Sequence, residues 1–251
     1  LFPYTTLFRS KHALTLMHAP PDGNAANDHE KAEFAMEVLS AVLDVRKVTL
    51  APPLRLAHIN ALNTTTAKYP IRRTVPFSIQ IPQGTVHLSK ANVTQGQLPR
   101  RVTVGIVSGE AESGVCNQNP FNFHHWNMTS LQLSVGGTPH PVQPMKFDFA
   151  TNQHLEGYMS LFIGTGQYGS DEGNMLSRDE YGKGFTLCCF NLTPDLDYED
   201  DHYSSAKTGN LDVSVSFQQG APQPLTMIVL AEFDNTIEVD RYRQVSLDYM
   251  A

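Results

Sequence analysis

Residue types that could do chemistry fall at a handful of places along the chain. GTGQYG at Gly164–Gly169 has the glycine spacing of a dinucleotide-binding turn, which requires a following helix whose N-terminus receives the pyrophosphate. No helical pattern follows, and Asp171 and Glu172 put negative charge where the phosphates would lie, so the run reads as a flexible loop. DLDYEDDH at Asp195–His202 alternates acids like the opening of a calcium loop, but Asp200 stands at the sixth place, where that loop needs Gly. It reads as a solvated acidic loop with opportunistic cation binding at most.

His124 and His125 lie in NPFNFHHWN. Adjacent residues point apart on a strand, and no CxxC or HxxxH spacing supplies the further ligands a zinc site needs, so the segment reads as aromatic packing built on Phe121, Phe123 and Trp126. Cys116 has no His with Asn or Asp that can be placed beside it, so it carries no thiol nucleophile. Cys188 and Cys189 are neighbours, hence on opposite faces of a strand. Three cysteines make no disulfide framework and fit a reducing compartment. A glycosidase-type carboxylate pair is set by distance in space, and no spacing here selects one. The sequons at Asn63, Asn92, Asn127 and Asn191 read as chance occurrences without a secretory signal. The residues thus nominate no catalytic, cofactor-binding or metal-ligating group.

The elements that must position these residues are mainly strands. Leu211, Val213, Val215 and Phe217 alternate with Asp212, Ser214, Ser216 and Gln218, the period of a half-buried antiparallel strand. Leu225–Phe233 is apolar on both sides and predicts a central strand covered on both faces. Ile71, Val75, Phe77, Ile79 and Ile81 share a face, with Arg73 on the same side. Further strands are predicted at Val102–Ser108, Leu131–Val135, Val142–Phe149 and Phe185–Leu192, with a turn around Gly136 and Gly137 and with Pro144 marking an edge strand or bulge. Leu155–Phe162 predicts a short helix burying Leu155, Met159 and Phe162. Upstream, His12–His18 and Phe34–Leu50 read as a strand pair, and Pro53 opens a short helix running to about Asn63. About seven or eight strands from Ile71 onward with few helices predict an all-β sandwich or jelly roll, and no internal repeat suggests a propeller or solenoid.

Bulk properties agree with a globular chain. Of 251 residues 41% are hydrophobic and 17% charged, well clear of the disordered regime. A formal net charge of -7 argues against a nucleic-acid surface, which needs local positive charge. No apolar run reaches about 18 residues, so no membrane-spanning helix is expected, and the N-terminus lacks the sections of a signal peptide. LFPYTTLFRS at 1–10 looks like a translated sequencing adapter, which makes the chain read as a fragment whose start lies upstream.

Several segments taken in order resemble one family. They are AKYPIRR (Ala67–Arg73), GQLPRRVTVGIV (Gly96–Val107), NPFNFHHWNMTSLQL (Asn119–Leu133), YMSLFIGTG (Tyr158–Gly166), DEGN (Asp171–Asn174), FNLTPDL (Phe190–Leu196) and the closing AEFDNTIEVDRYRQVSLDYMA. The family is the hexon-like major capsid protein of Polinton (Maverick) elements and adintoviruses. The resemblance implies a structural protein that is not an enzyme, a double jelly roll that assembles as pseudo-hexagonal trimers into an icosahedral shell, meets a minor (penton) capsid protein, resides in the virion, and is made in the host cytoplasm or nucleus without secretion. It further implies that 11–50 holds the last strands of a truncated first roll, 51–66 a connector with a short helix, and 67–251 the second roll. Two other classes remain: a stand-alone jelly roll binding carbohydrate or protein, and a jelly-roll enzyme.

Overall fold

The structure is a computed structural model, and it describes residues 39–115, 118–169, 171, 173–193 and 207–248. Eight strands make the body: β1 (Ala67–Ile81), β2 (His87–Gln97), β3 (Arg101–Ser108), β4 (Met128–Val135), β5 (Thr138–Lys146), β6 (Leu187–Asn191), β7 (Thr208–Phe217) and β8 (Leu225–Val239). A short β9 (Val245–Leu247) adds to the far half of β8. Four helices accompany them among the described residues: α1 (Pro52–Leu62), α2 (Gly109–Ser113), α3 (Leu155–Thr165) and α4 (Arg178–Tyr181).

The strand order is 1-8-3-6 in one sheet and 2-7-4-5 in the other. β1 pairs with β8, β2 with β7, β3 with β6 and β4 with β5, all antiparallel. This is the pairing of a single long hairpin whose two arms run side by side. Rolling that hairpin adds the β3–β8 and β4–β7 ladders and yields two facing sheets, which is the jelly roll. The expected all-β jelly-roll sandwich is therefore the fold.

Alternation decides what lies between the sheets. Ile79 and Ile81 of β1, Val102, Val104 and Ile106 of β3, Leu131 and Leu133 of β4, Leu211, Val213, Val215 and Phe217 of β7, and Leu225, Met227 and Val229 of β8 form one buried cluster. Gly136 and Gly137 make the two-residue β4–β5 turn with φ of 57° and 81°, the left-handed pair that matches strand twist. β5 is an edge strand, as Pro144 suggested, but it starts at Thr138, earlier than expected, directly out of that turn.

Several expectations need correction. The outer face of β8 is sealed only in part: Thr226 is buried, while Ile228 and Leu230 are half-buried. The strand β2 carries no clean alternation in sequence, because a register shift between Lys90 and Thr94 interrupts it. The described part of Phe34–Leu50, residues 39–50, forms no strand: Leu39, Val42, Leu43 and Val48 are more than four-fifths exposed. His12–His18 lies outside the described residues. The helix α1 forms where Pro53 placed it, with none of its residues buried.

Helix α3 also differs from its periodicity. Leu155 is half exposed, and the buried face is Gly157, Ser160, Leu161 and Gly164. Small residues let the helix sit directly on β6. A Cβ on Gly164 would overlap Cys189, and one on Gly157 would overlap Phe147 and the Tyr181 hydroxyl. Ser160 Oγ accepts the Cys189 N–H at 3.1 Å and donates to the Gly157 carbonyl at 2.6 Å, tying helix to strand. Gly164→Ala is expected to cost about 1–3 kcal/mol through overpacking, against a change within about 0.5 kcal/mol for the exposed Ile163→Ala in the same helix. Thermal melts of the two variants measure the contrast.

Candidate functional site

Two of the long connections, β3–β4 and β5–β6, gather at one end of the roll with the β1–β2 and β7–β8 turns. The β1–β2 turn meets the β7–β8 turn through Gly84 N–H to the Ala221 carbonyl (2.8 Å), and Gly109 N–H meets the Pro224 carbonyl (2.9 Å). The β3–β4 loop is laced to the β5–β6 connection by Phe123 N–H to Gly184 O and Thr186 N–H to Phe123 O, both 2.8 Å. The opposite end carries the two-residue β4–β5 turn, the short link from Gln97 to Arg101 and both ends of the β6–β7 connection, where Leu192 N–H meets the Arg100 carbonyl and Leu98 N–H the Lys207 carbonyl. The loop-bearing end exposes large apolar side chains: Val115, Phe121, Leu155, Met175 and Phe185 are all more than two-fifths accessible, Met175 fully. It is an apolar, irregular crown on a rigid base, and it has the makings of a contact surface.

The residues nominated by sequence motifs are mostly placed by packing. GTGQYG falls at the end of α3, with Gly166 as its left-handed C-cap. The preceding helix therefore presents its negative, carbonyl-bearing end to this loop, the wrong sign for a pyrophosphate. Asp195–His202 and Cys116 lie outside the described residues. Among the described residues no three His, Cys, Asp or Glu side chains gather as a metal cluster, and no helix is long and apolar enough to cross a membrane.

His124 and His125 do not point apart, because their segment is a turn and not a strand. Trp126 and Asn127 both take positive φ, 49° and 53°, and the two imidazole centroids lie 4.2 Å apart. The Nδ1 atom of His124 accepts the Trp126 N–H at 3.1 Å, and that of His125 accepts the Asn127 N–H at 2.9 Å. Of the expected packing aromatics, Phe123 covers Gly105 and the Trp126 indole donates to the Ile106 carbonyl, while Phe121 is exposed.

Cys188 faces the sandwich core and Cys189 the underside of α3; both are free. Burial pushes both thiols up, Cys188 to about 12. Asn191 is buried, its Oδ1 accepting from Thr193 N–H and Oγ1, so that sequon is closed to glycosylation in the folded state. Asn63, Asn92 and Asn127 are exposed.

Two features were not foreseen. On the outer face of the first sheet, Arg101 Nη2 grips both Glu232 oxygens at 2.8 and 2.7 Å, and its Nη1 reaches the Gly164 carbonyl. Beside it, Asp234 Oδ1 sits 3.4 Å from Arg100 and 3.9 Å from Arg72. Carboxylates so matched to guanidinium groups act as cross-strand struts and not as an acid/base pair. At the β1/β2 side the sheets part to leave an open cleft of about 630 Å³. Arg73 covers the Phe233 ring there at 4.5 Å and donates to Asn235 Oδ1, so the ring offers no bare platform for a sugar.

No family model matches the chain. The uncharacterized protein F54H12.2 of Caenorhabditis elegans is 27% identical over 184 residues, covering 72% of the chain but 44% of the worm protein. The chain thus spans less than half the length of that curated relative. Among solved structures, the PBCV-1 VP54 structure fitted into a reconstruction of the virophage Sputnik gives a TM-score of 0.48 at 10% identity over 80% of this chain and 55% of that one. The PBCV-1 capsid gives 0.45 at 10% identity over 74% and 52%, and the mavirus major capsid protein 0.38 at 13% over 73% and 41%. With likenesses of this size, the architecture rests on the strand order itself.

The buried thiols generate a direct check. In a Cys116→Ser chain at pH 8, Cys188 and Cys189 are expected to stay unmodified by a thiol reagent until denaturant is added, when both react. Fast reaction of either in the native state contradicts the packing described.

Proposed function

We propose that the chain is the second jelly roll of a hexon-like major capsid protein of the Polinton and adintovirus kind, a trimeric building block of an icosahedral shell. The observation that supports this reading is the order in which the resembling segments fall on one closed roll. AKYPIRR starts β1, GQLPRRVTVGIV spans the β2–β3 link and β3, and NPFNFHHWNMTSLQL runs from the crown loop into β4. YMSLFIGTG is α3, and AEFDNTIEVDRYRQVSL completes β8 and β9.

The physics suits the role. The sandwich supplies a stiff shape, and the crown supplies apolar contact surface that a monomer would leave in water. On this reading 67–251 is the second roll and 51–66 the connector, and the upstream first roll belongs to the longer parent, as the greater length of the worm relative would allow. The partners are then further copies of the parent in a lattice and a penton-type minor capsid protein, and the location is the virion.

Sedimentation of the parent protein, including its upstream reading frame, is the test, with a trimer as the expected species. Phe121→Asp combined with Phe185→Asp is expected to weaken association tenfold or more, since truncating a buried interface aromatic costs about 1–3 kcal/mol, with sheet circular dichroism unchanged. A parent that sediments only as monomer at assembly concentrations overturns the proposal.

A further inference from the structure

Within the crown, rings from four segments stack in series. The His125 imidazole lies on Phe149, 4.1 Å between centroids and 12° between planes. Phe149 stacks in turn on Phe147 (5.7 Å) and on His154 (5.3 Å), and His154 on Tyr181 (5.6 Å). His124 joins through His125 and meets Trp126 edge-on at 5.1 Å. The series therefore fastens the β3–β4 loop to the segment leaving β5, to the N-terminus of α3 and to α4.

Hydrogen bonds assign the protons. Because Nδ1 of both His124 and His125 accepts a backbone N–H, each ring is the neutral tautomer with its proton on Nε2. Those two acceptors hold the left-handed turn at Trp126–Asn127, a conformation that non-glycine residues adopt at a cost. Adding a proton at Nδ1 would turn each acceptor into a donor aimed at an N–H, and would place two like charges on rings 4.2 Å apart.

We propose that the stack is an acid-released latch, in which protonation of His124 and His125 frees the β3–β4 loop from the β5–α3 segment while both sheets stay paired. The latch follows from the ring geometry alone and holds whether or not the capsid reading does.

The ionisable groups acting on His125 are imidazoles: His124 from its own turn and His154 from the head of α3. His154 Nε2 faces the Arg178 carbonyl at 3.4 Å and its Nδ1 is buried without a partner among the described residues. Tyr181 closes the series from α4. Asp148, next to Phe149, is occupied with the Ala150 and Thr151 N–H groups. No carboxylate is among the groups that shift either imidazole of the turn.

Burial lowers His124 below its ordinary 6.5, and burial with repulsion from His124 and His154 lowers His125 to about 4. The released turn therefore binds more protons than the latched one between pH 6.5 and 4. The latch is at full strength above pH 6.5 and weakens as pH falls below it, the His125 share of the loss being complete by about 4.

Trp126, the single tryptophan of the chain, is a probe inside the turn. Acidifying the full chain is expected to red-shift its emission with a midpoint between pH 6.5 and 4 while sheet circular dichroism is retained. The His124→Asn/His125→Asn double variant, whose amide oxygens can accept the same N–H groups without titrating, is expected to abolish that shift. An emission change that coincides with loss of sheet signal, that persists in the double variant, or that is absent from the native chain overturns the proposal. Should the double variant fail to fold, histidine proton titration of the native chain by NMR decides: His124 and His125 both titrating near 6.5 sinks it.

Discussion

The antiparallel ladder between β1 and β8 is the constraint on which the rest depends. Every residue from Ala67 to Ile81 faces one from Val239 back to Leu225, so the first strand of the roll is fixed only when the last has arrived. Once these two are paired, the remaining strands have little choice. Each nested pair must lie inside the one before, and the outer pairs fold over to seal Leu225, Met227 and Val229 against Leu211, Val213 and Val215. Such pairing is non-local and costs loop-closure entropy before any apolar burial offsets it. The extension of β8 beyond the sandwich, flanked by β1 and β9, comes from the same ladder running on past the point where β3 stops.

The strands buried on one face were legible because a period of two leaves a visible trace, as in Leu211–Phe217 and Ile71–Ile81. The strand β2 left none: its apolar content is slight, and the irregularity between Lys90 and Thr94 switches the face in mid-strand. The buried face of α3 was missed for a different reason. Hydrophobic periodicity looks for large side chains, whereas this helix approaches β6 through Gly157, Ser160 and Gly164, where the absence of a side chain makes the contact. The pairing of His124 with His125 was hidden because it depends on two consecutive left-handed residues, Trp126 and Asn127, neither a glycine. Such backbone geometry is set by the imidazole acceptors and the surrounding rings, and single-residue preferences do not carry it.

Motifs that look chemical in one dimension lose that meaning by placement. GTGQYG belongs to a helix C-terminus, so its glycines serve close packing and a cap where a nucleotide site would need an N-terminal dipole. The adjacent cysteines are divided between two cores. Glu232 and Asp234 of β8 are spent on arginines of β1 and β3 and on the one preceding β3, and Glu238 on Lys68 of β1. Opposite charges in neighbouring strands of one face favour that register, so Arg72, Arg100 and Arg101 serve alignment of the β1–β8–β3 ladders more than they serve solubility.

The same economy bears on how copies of this roll would meet. Open sheet edges invite strand addition, yet three of the four edges, β5, β6 and β2, are poorly suited to it. The edge strand β5 contains Pro139, Pro141 and Pro144, each without an N–H to donate. Its partner edge across the sandwich, β6, is five residues long, and His140 Nε2 contacts the Asn191 carbonyl at 2.9 Å, using an acceptor that a new strand would need. On the far side, β2 breaks its register at Ala91–Val93, and Asn92 takes a φ of 56° with its N–H given to Asp212. An added strand would find no long, flat row of free backbone groups on any of these. Association that avoids those three edges has the β1 edge, side chains and loops to use, and the crown offers Phe121, Phe185 and Met175 to water, with the ring stack holding its loops in one arrangement.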